Sequence, residues 1–178
     1  TDCIVIIDEA YVDFGTNSAV SLLKRYENLL IVQTMSKSRS LAGLRIGYAL
    51  GSETLIATLE AVKNSYNSYT MDAIALAAGE AAVRDEMYFQ QICHKVIATR
   101  ERAAEALREL GFTVSPSLSN FLFVTHPKKE ASVIFEYLRQ KNIFIRYFKL
   151  PRIDNYLRIT VGTDEQMDKL IAALKEFL

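Results

Sequence analysis

Two short apolar runs, Leu29-Leu30-Ile31-Val32 and Ile46-Gly47-Tyr48-Ala49-Leu50, bracket the stretch Thr34 to Gly47, T-M-S-K-S-R-S-L-A-G-L-R-I-G. The runs read as strands. The stretch between them is too long and too cationic for a hairpin, whose loop is usually about two to five residues. It carries the hydroxyls Thr34 and Ser36, one lysine (Lys37), Arg39 and Arg45, and the small pair Ala42-Gly43. Long connections in ordered domains tend to be functional, and the interspersed Ser, Leu and Ala argue against disorder.

A third run, Cys3 to Ile7, is apolar at every position. That continuity, in place of alternation, predicts a strand buried on both faces of a parallel sheet. It ends in Asp8-Glu9-Ala10-Tyr11. Ligands gather at the carboxyl ends of strands in open α/β sheets, so an acid there is a site candidate by position. A solvated strand end explains Asp8 and Glu9 equally well on residue type alone. The chain opens almost directly on this strand, from which we expect a piece of a longer polypeptide.

Beyond Leu50, Ser52 offers an N-cap and Glu53 to Lys63 an amphipathic helix. Asn64 to Thr70 reads as a loop, with Tyr66, Asn67 and Tyr69 better explained as turn packing than as site lining. Alanine-rich Met71 to Val83 and the longer Glu86 to Leu110 read as helices, with Gly111 as the stop. The composition changes near Arg84-Asp85, the candidate boundary between a domain at 1–83 and another at 84–178. The second half predicts short strands at Phe112–Val114, Phe121–Val124, Ile143–Phe148 and Tyr156–Val161, and a helix over Ala131–Lys141. A capping-box pattern, Thr163-Asp164-Glu165-Gln166, starts a last helix. The expected fold is α/β: the end of a mostly parallel sheet domain, then an α+β lobe.

Charge narrows the function. Lys+Arg and Asp+Glu are both 21, so no overall field draws nucleic acid or an acidic membrane. Neither is expected as a partner. The cysteines, Cys3 and Cys93, are too far apart in context for a disulfide framework, which favours a reducing, cytoplasmic setting. No apolar run is long enough for a transmembrane helix. His94 and His126 lack metal-ligand spacing to cysteine or acid, so no metal is expected.

Lys37 is the sharpest chemical candidate. A lysine amine is nucleophilic only without its extra proton, and a nearby cation or apolar setting frees it for Schiff-base chemistry. Ser, Thr and Arg around it are the residue types that hold a phosphate. A nucleophilic lysine beside a phosphate cradle points to pyridoxal phosphate, with Asp8 placed to keep a pyridine nitrogen protonated.

Asp8-Glu-Ala-Tyr11, Thr34-x-Ser36-Lys37 and Leu41-Ala-Gly-Leu-Arg45-x-Gly47-Tyr48 together resemble the fold-type-I aminotransferases, the histidinol-phosphate aminotransferases nearest. Asn120-Phe121, Ile143-Phe-Ile-Arg146 and Leu157-Arg158-Ile-Thr-Val-Gly162-Thr are similar to that family's small-domain pattern. The resemblance implies that residues 1–83 end the large cofactor-binding domain and 84–178 form the small domain. It also implies roles. Lys37 would bind the cofactor aldehyde and shuttle a proton. Asp8 would pair with the pyridinium, and Tyr11 would hydrogen-bond the phenolic oxygen. Ser36 and Arg45, with Thr34, would hold the phosphate. Arg158, assisted by Arg146, would take the substrate's carboxylate or phosphate. The implied reaction is amino transfer between histidinol phosphate and 2-oxoglutarate, in a homodimer. The chain would correspond to the C-terminal half, without catalytic competence alone and with a sheet face and edge exposed.

Two segments depart from the family pattern. Ser38-Arg39-Ser40 stands where Ala-Phe-Gly is usual, and Ser65-Tyr66-Asn67 where Pro-Tyr-Asn is common. Threonine-phosphate decarboxylase, which shares much of the signature, or another pyridoxal-phosphate aminotransferase is the alternative within the class. Cys3 to Glu9 also fits the acidic strand of an ATPase, but the sequence has no G-x-x-x-x-G-K-[ST]. A non-catalytic binding or regulatory domain is the other rival, and the intact set Asp8, Lys37 and Arg45 speaks against lost chemistry.

Overall fold

The computed structural model describes residues 3–178, which fall into two compact units, 3–92 and 93–178. In the first unit β1 (Val5–Asp8) pairs in parallel with β2 (Leu29–Thr34), Val5 opposite Leu29 through Asp8 opposite Val32. β3 (Gly47–Gly51) then runs antiparallel to β2. A parallel return would need a crossover, usually a helix. The 35–46 connection holds only a 3₁₀ turn at Ala42–Leu44, so the chain reverses beside the strand it left.

The apolar runs separate in their fates. Leu29, Leu30 and Ile31 are buried in the central strand, with Phe14 and Ile46 among the other buried residues of the unit. β1 is not buried on both faces as its sequence predicts: Ile4 is 59% and Ile6 62% exposed. β1 is the edge of its sheet, with a pairing partner on one side alone among the described residues. Its hydrophobicity is therefore largely uncovered within this chain.

α1 (Glu53–Tyr66) starts at Ser52, whose Oγ accepts from Leu55 N at 3.5 Å. It runs past Lys63 into the predicted loop and buries none of its residues; Leu59 and Val62 are exposed. α2 (Ala73–Arg84) is capped by Asp72 and buries Ala75 and Gly79. A Cβ on Gly79 would lie 3.2 Å from Ile46 Cδ1, so a small residue is needed for this approach. Asp85 interrupts the helical run at the predicted composition change, and α3 (Glu86–Glu109) follows; the compact units divide within α3, between Ile92 and Cys93.

In the second unit four strands are ordered β4 (Thr113–Val114), β5 (Phe121–Thr125), β7 (Leu157–Thr160) and β6 (Arg146–Tyr147), all antiparallel. α3 stops in a Schellman motif: Gly111 at φ 85° donates to Arg108 O, and Phe112 donates to Leu107 O. Leu122, Val124, Leu157 and Ile159 turn one sheet face inward. They join Leu107 of α3, Ile134 and Leu138 of α4 (Ala131–Gln140), and Leu170 and Leu174 of α5 (Asp164–Phe177) in one core. The capping box at Thr163 and Gln166 forms as its sequence predicts. β6 is shorter than its apolar run, because Ile143 and Ile145 pack against the core without joining the ladder. Among the described residues no helix is long and apolar enough to cross a membrane.

Candidate active site

The parallel register sets Asp8, the last residue of β1, beside Val32, two residues before β2 ends at Thr34. The Glu9 amide continues the pairing by donating to Val32 O at 2.8 Å. Asp8 and the lysine loop therefore leave the same end of neighbouring strands. Asp8 is exposed, and its Oδ1 accepts from Ala10 N at 2.9 Å. That bond folds the chain towards Tyr11.

The loop is held by its own backbone. Thr34 pairs with Gly47, Met35 N donates to Ile46 O at 3.1 Å, and Leu41 N donates to Met35 O at 2.9 Å. The Thr34 hydroxyl donates to Ile46 O at 3.3 Å and accepts from Ser36 N at 3.1 Å. Ser40 and Arg45 both adopt positive φ, 58° and 57°, which non-glycine residues hold only where surroundings impose it. Ser36 and Lys37 are half-buried between these turns.

Lys37 Nζ lies 5.5 Å from the centroid of the Tyr11 ring. This contact joins the β1 end to the lysine loop, and no acid forms an ion pair with Lys37 among the described residues. Arg45 is exposed and spends Nη1 on Ala42 O at 2.9 Å, within its own loop. The structure thus gathers Asp8, Tyr11, Thr34, Ser36, Lys37 and Arg45 on adjoining segments of one sheet end.

Arg146 and Arg158 belong to the second unit, where they face each other directly across the β6–β7 ladder. Like charges at directly opposite positions of a ladder repel. Arg158 stacks 4.2 Å from the Phe121 centroid, and its Nε is buried without a hydrogen-bond partner. Arg146 lies 5.8 Å from the Phe148 ring.

Glu9 does more than end a strand. It is 8% exposed and accepts from Ser18 Oγ, Ala19 N and Gln33 Nε2 at 2.7, 2.6 and 2.7 Å. Burial pushes its carboxyl up, but these donors together outweigh burial and hold it below the usual carboxylate value. Tyr48 OH donates to Gln33 Oε1 at 2.6 Å, extending the network to β3. Burial, with Asp13 adding, pushes the Tyr48 phenol up. Polar side chains at a strand end were the only sequence signal for this network. Among the described residues no group of three or more His, Cys, Asp or Glu could hold a metal. His126 is buried against Phe112 and accepts from Lys128 N at 3.2 Å.

The chain belongs to the aminotransferase class I and II family, which matches it over residues 1–174. It is 57% identical over 175 residues to the histidinol-phosphate aminotransferase of Acinetobacter baumannii (strain SDF), covering 98% of this chain and 48% of that protein. The solved histidinol-phosphate aminotransferase of Sinorhizobium meliloti, in complex with pyridoxal-5'-phosphate, superposes with a TM-score of 0.83 at 28% identity. That match covers 98% of this chain and 50% of the other. L-threonine-O-3-phosphate decarboxylase from Porphyromonas gingivalis superposes with a TM-score of 0.81 at 26% identity, over 99% of this chain and 55% of the other. The chain spans about half the length of the relatives it matches.

Proposed function

We propose that this chain is part of a cytoplasmic, homodimeric pyridoxal-phosphate-dependent aminotransferase that moves an amino group between histidinol phosphate and 2-oxoglutarate. The observation that carries this reading is the placement of the Lys37 amine over Tyr11, beside the Asp8 strand end and without a competing acid. The 57% identity to a histidinol-phosphate aminotransferase supports the substrate.

The residues fit the cofactor's parts. Asp8 offers a carboxylate oxygen beyond the Oδ1 that meets Ala10 N, suited to a pyridinium N–H. Tyr11 orients the phenolic oxygen. Ser36 and Arg45 would bind the phosphate, joined by Thr34 once its hydroxyl turns from Ile46 O; Arg45 Nη1 is spent on Ala42 O, which leaves the rest of the guanidinium fork for a phosphate oxygen. Bound pyridoxal phosphate supplies an electrophilic aldehyde and a ring that withdraws electrons from the substrate carbon. Lys37 Nζ would hold the cofactor aldehyde and would be the group placed to carry a proton beside it. Arg158 and Arg146 bind the substrate anion through their guanidinium groups. Residues 1–83 fall to the large domain and 84–178 to the small one.

The test adds pyridoxal phosphate to the protein extended to its relatives' full length. A long-wavelength band of lysine-bound cofactor is expected, and is expected to vanish in Lys37→Ala. No band in the extended protein refutes the cofactor assignment. Turnover of histidinol phosphate by the 178-residue chain alone would refute its standing as an incomplete unit. Carbon dioxide release from threonine phosphate, without amino transfer, would place the protein with the decarboxylases.

A further inference from the structure

Ser38-Arg39-Ser40 has no part in the scheme above and departs from the family's usual residues. In the structure its first two side chains leave the lysine loop for two different anchors. Ser38 is buried, and its Oγ donates to Asp13 Oδ2 at 2.5 Å. Asp13 sits on the 3₁₀ turn Val12–Phe14, which begins directly after Tyr11. Arg39 reaches the junction of α2 and α3. Its Nη1 donates to Ala82 O at 2.5 Å, and its Nη2 donates to Glu86 Oε2 at 3.3 Å. Its guanidinium lies 3.7 Å from the Phe89 ring centroid, and the side chain is only 17% exposed.

These partners use what is specific to arginine. The last carbonyls of a helix lack intrahelical donors, and Ala82 O in the final turn of α2 is one of them. A planar fork can meet this carbonyl, a carboxylate and an aromatic face together, whereas a lysine ammonium cannot. Between the anchors the loop is tight: Ser40 N donates to Lys37 O at 3.2 Å, and Ser40 has φ 58°. A non-glycine residue keeps such a conformation only when its surroundings over-determine it.

We propose that Ser38 and Arg39 are positioning residues for Lys37. Ser38 ties the loop to the segment that carries Tyr11, and Arg39 ties it to the α2–α3 junction. Between the two ties the lysine backbone cannot swing, and the amine stays over the Tyr11 ring. The purpose of this clamp rests on Lys37 being the cofactor lysine; its geometry does not.

The experiment compares the protein extended to its relatives' full length with its Ser38→Ala, Arg39→Met and Arg39→Lys variants. Arg39→Met keeps an apolar stem on Phe89 and removes the fork. Amide hydrogen exchange over 34–47 is expected to quicken on the order of tenfold in Ser38→Ala and Arg39→Met, the equivalent of one lost hydrogen bond. Arg39→Lys is expected not to restore it, while the strands Phe121–Thr125 and Leu157–Thr160 stay unchanged. Competitive acetylation by a small anhydride supplies a second readout, with exposed Lys24 and Lys95 as internal references. The Lys37 rate is expected to rise relative to both. Unchanged exchange in Ser38→Ala and Arg39→Met overturns the proposal. Faster exchange with an unchanged Lys37 rate also overturns it, leaving only a structural role. Pyridoxal phosphate with borohydride tests the cofactor reading separately. If the extended parent protein is not labelled preferentially at Lys37, that reading fails while the clamp is still decided by the first two measurements.

Discussion

Replacing Glu9 with leucine keeps most of the side chain's volume and removes every acceptor. Ala19 N–H, Gln33 Nε2 and Ser18 Oγ now all donate to that carboxylate at 2.6–2.7 Å. The Ser18 hydroxyl can rotate to another partner, but the backbone amide of Ala19 cannot. The Gln33 amide is already fixed by Tyr48 OH at 2.6 Å. Two donors are therefore stranded. A fully buried donor without an acceptor costs about 1–3 kcal/mol, and these two are part-buried, so water recovers part of the penalty and the expected loss is about 1–3 kcal/mol in all. Glu9→Gln should cost far less. Gln33 can turn over and accept from the new amide while donating to the Tyr48 oxygen, so chiefly the charge assistance is lost.

The pH dependence follows from the carboxyl being held below its ordinary value of 4.5. The folded state binds fewer protons there than the unfolded one. Glu9 thus contributes stability that is complete above the unfolded value and lost as pH falls through the lower folded value. Urea unfolding of parent and Glu9→Leu should show a constant gap from pH 7 to about 5.5, narrowing only below about 4.5. Amide exchange at Ala19 should report the same change locally. Equal stability of parent and Glu9→Leu at pH 7, or a gap unchanged at pH 3, would refute the reasoning.

Other outcomes can be checked in the same chain. Gly111→Ala forces a Cβ onto φ 85° and within 3.3 Å of His126 Nε2, and should cost about 1–2 kcal/mol by thermal unfolding. Thr163→Ala removes the hydroxyl that accepts from Gln166 N at 3.3 Å, and should cost about 1 kcal/mol with faster exchange at the start of α5. Inorganic phosphate should raise the melting temperature of the parent, and Arg158→Gln should remove the share of that rise due to the Arg146–Arg158 pair, leaving the share due to Ser36 and Arg45. Arg146→Gln should melt slightly higher than the parent without phosphate, because the facing charges are relieved.

Local patterns in the sequence carry much of the fold because their causes are local. The Schellman stop at Gly111 needs only a residue tolerant of positive φ, and the Thr163 capping box needs only two side chains a turn apart. The apolar runs mark strands for the same reason, and the order of Asp8, Lys37, Arg45 and Arg158 is the sequence basis of the proposed chemistry. What covers a strand is not local. Cys3 to Ile7 reads like Leu29 to Val32, yet Leu29, Leu30 and Ile31 of β2 are buried while β1 is an exposed edge, since burial depends on segments distant in the chain. The antiparallel turn into β3 was equally silent, because direction is set by whether the connection can cross the sheet. Partners of polar side chains were the least legible. Glu9 could be a solvated strand end or the acceptor of three donors, and Arg39 a surface charge or a fork on α2 and Phe89. Sequence sets which groups can bond; only the tertiary structure decides which meet, because a hydrogen bond requires approach within about 3 Å of atoms that lie tens of residues apart.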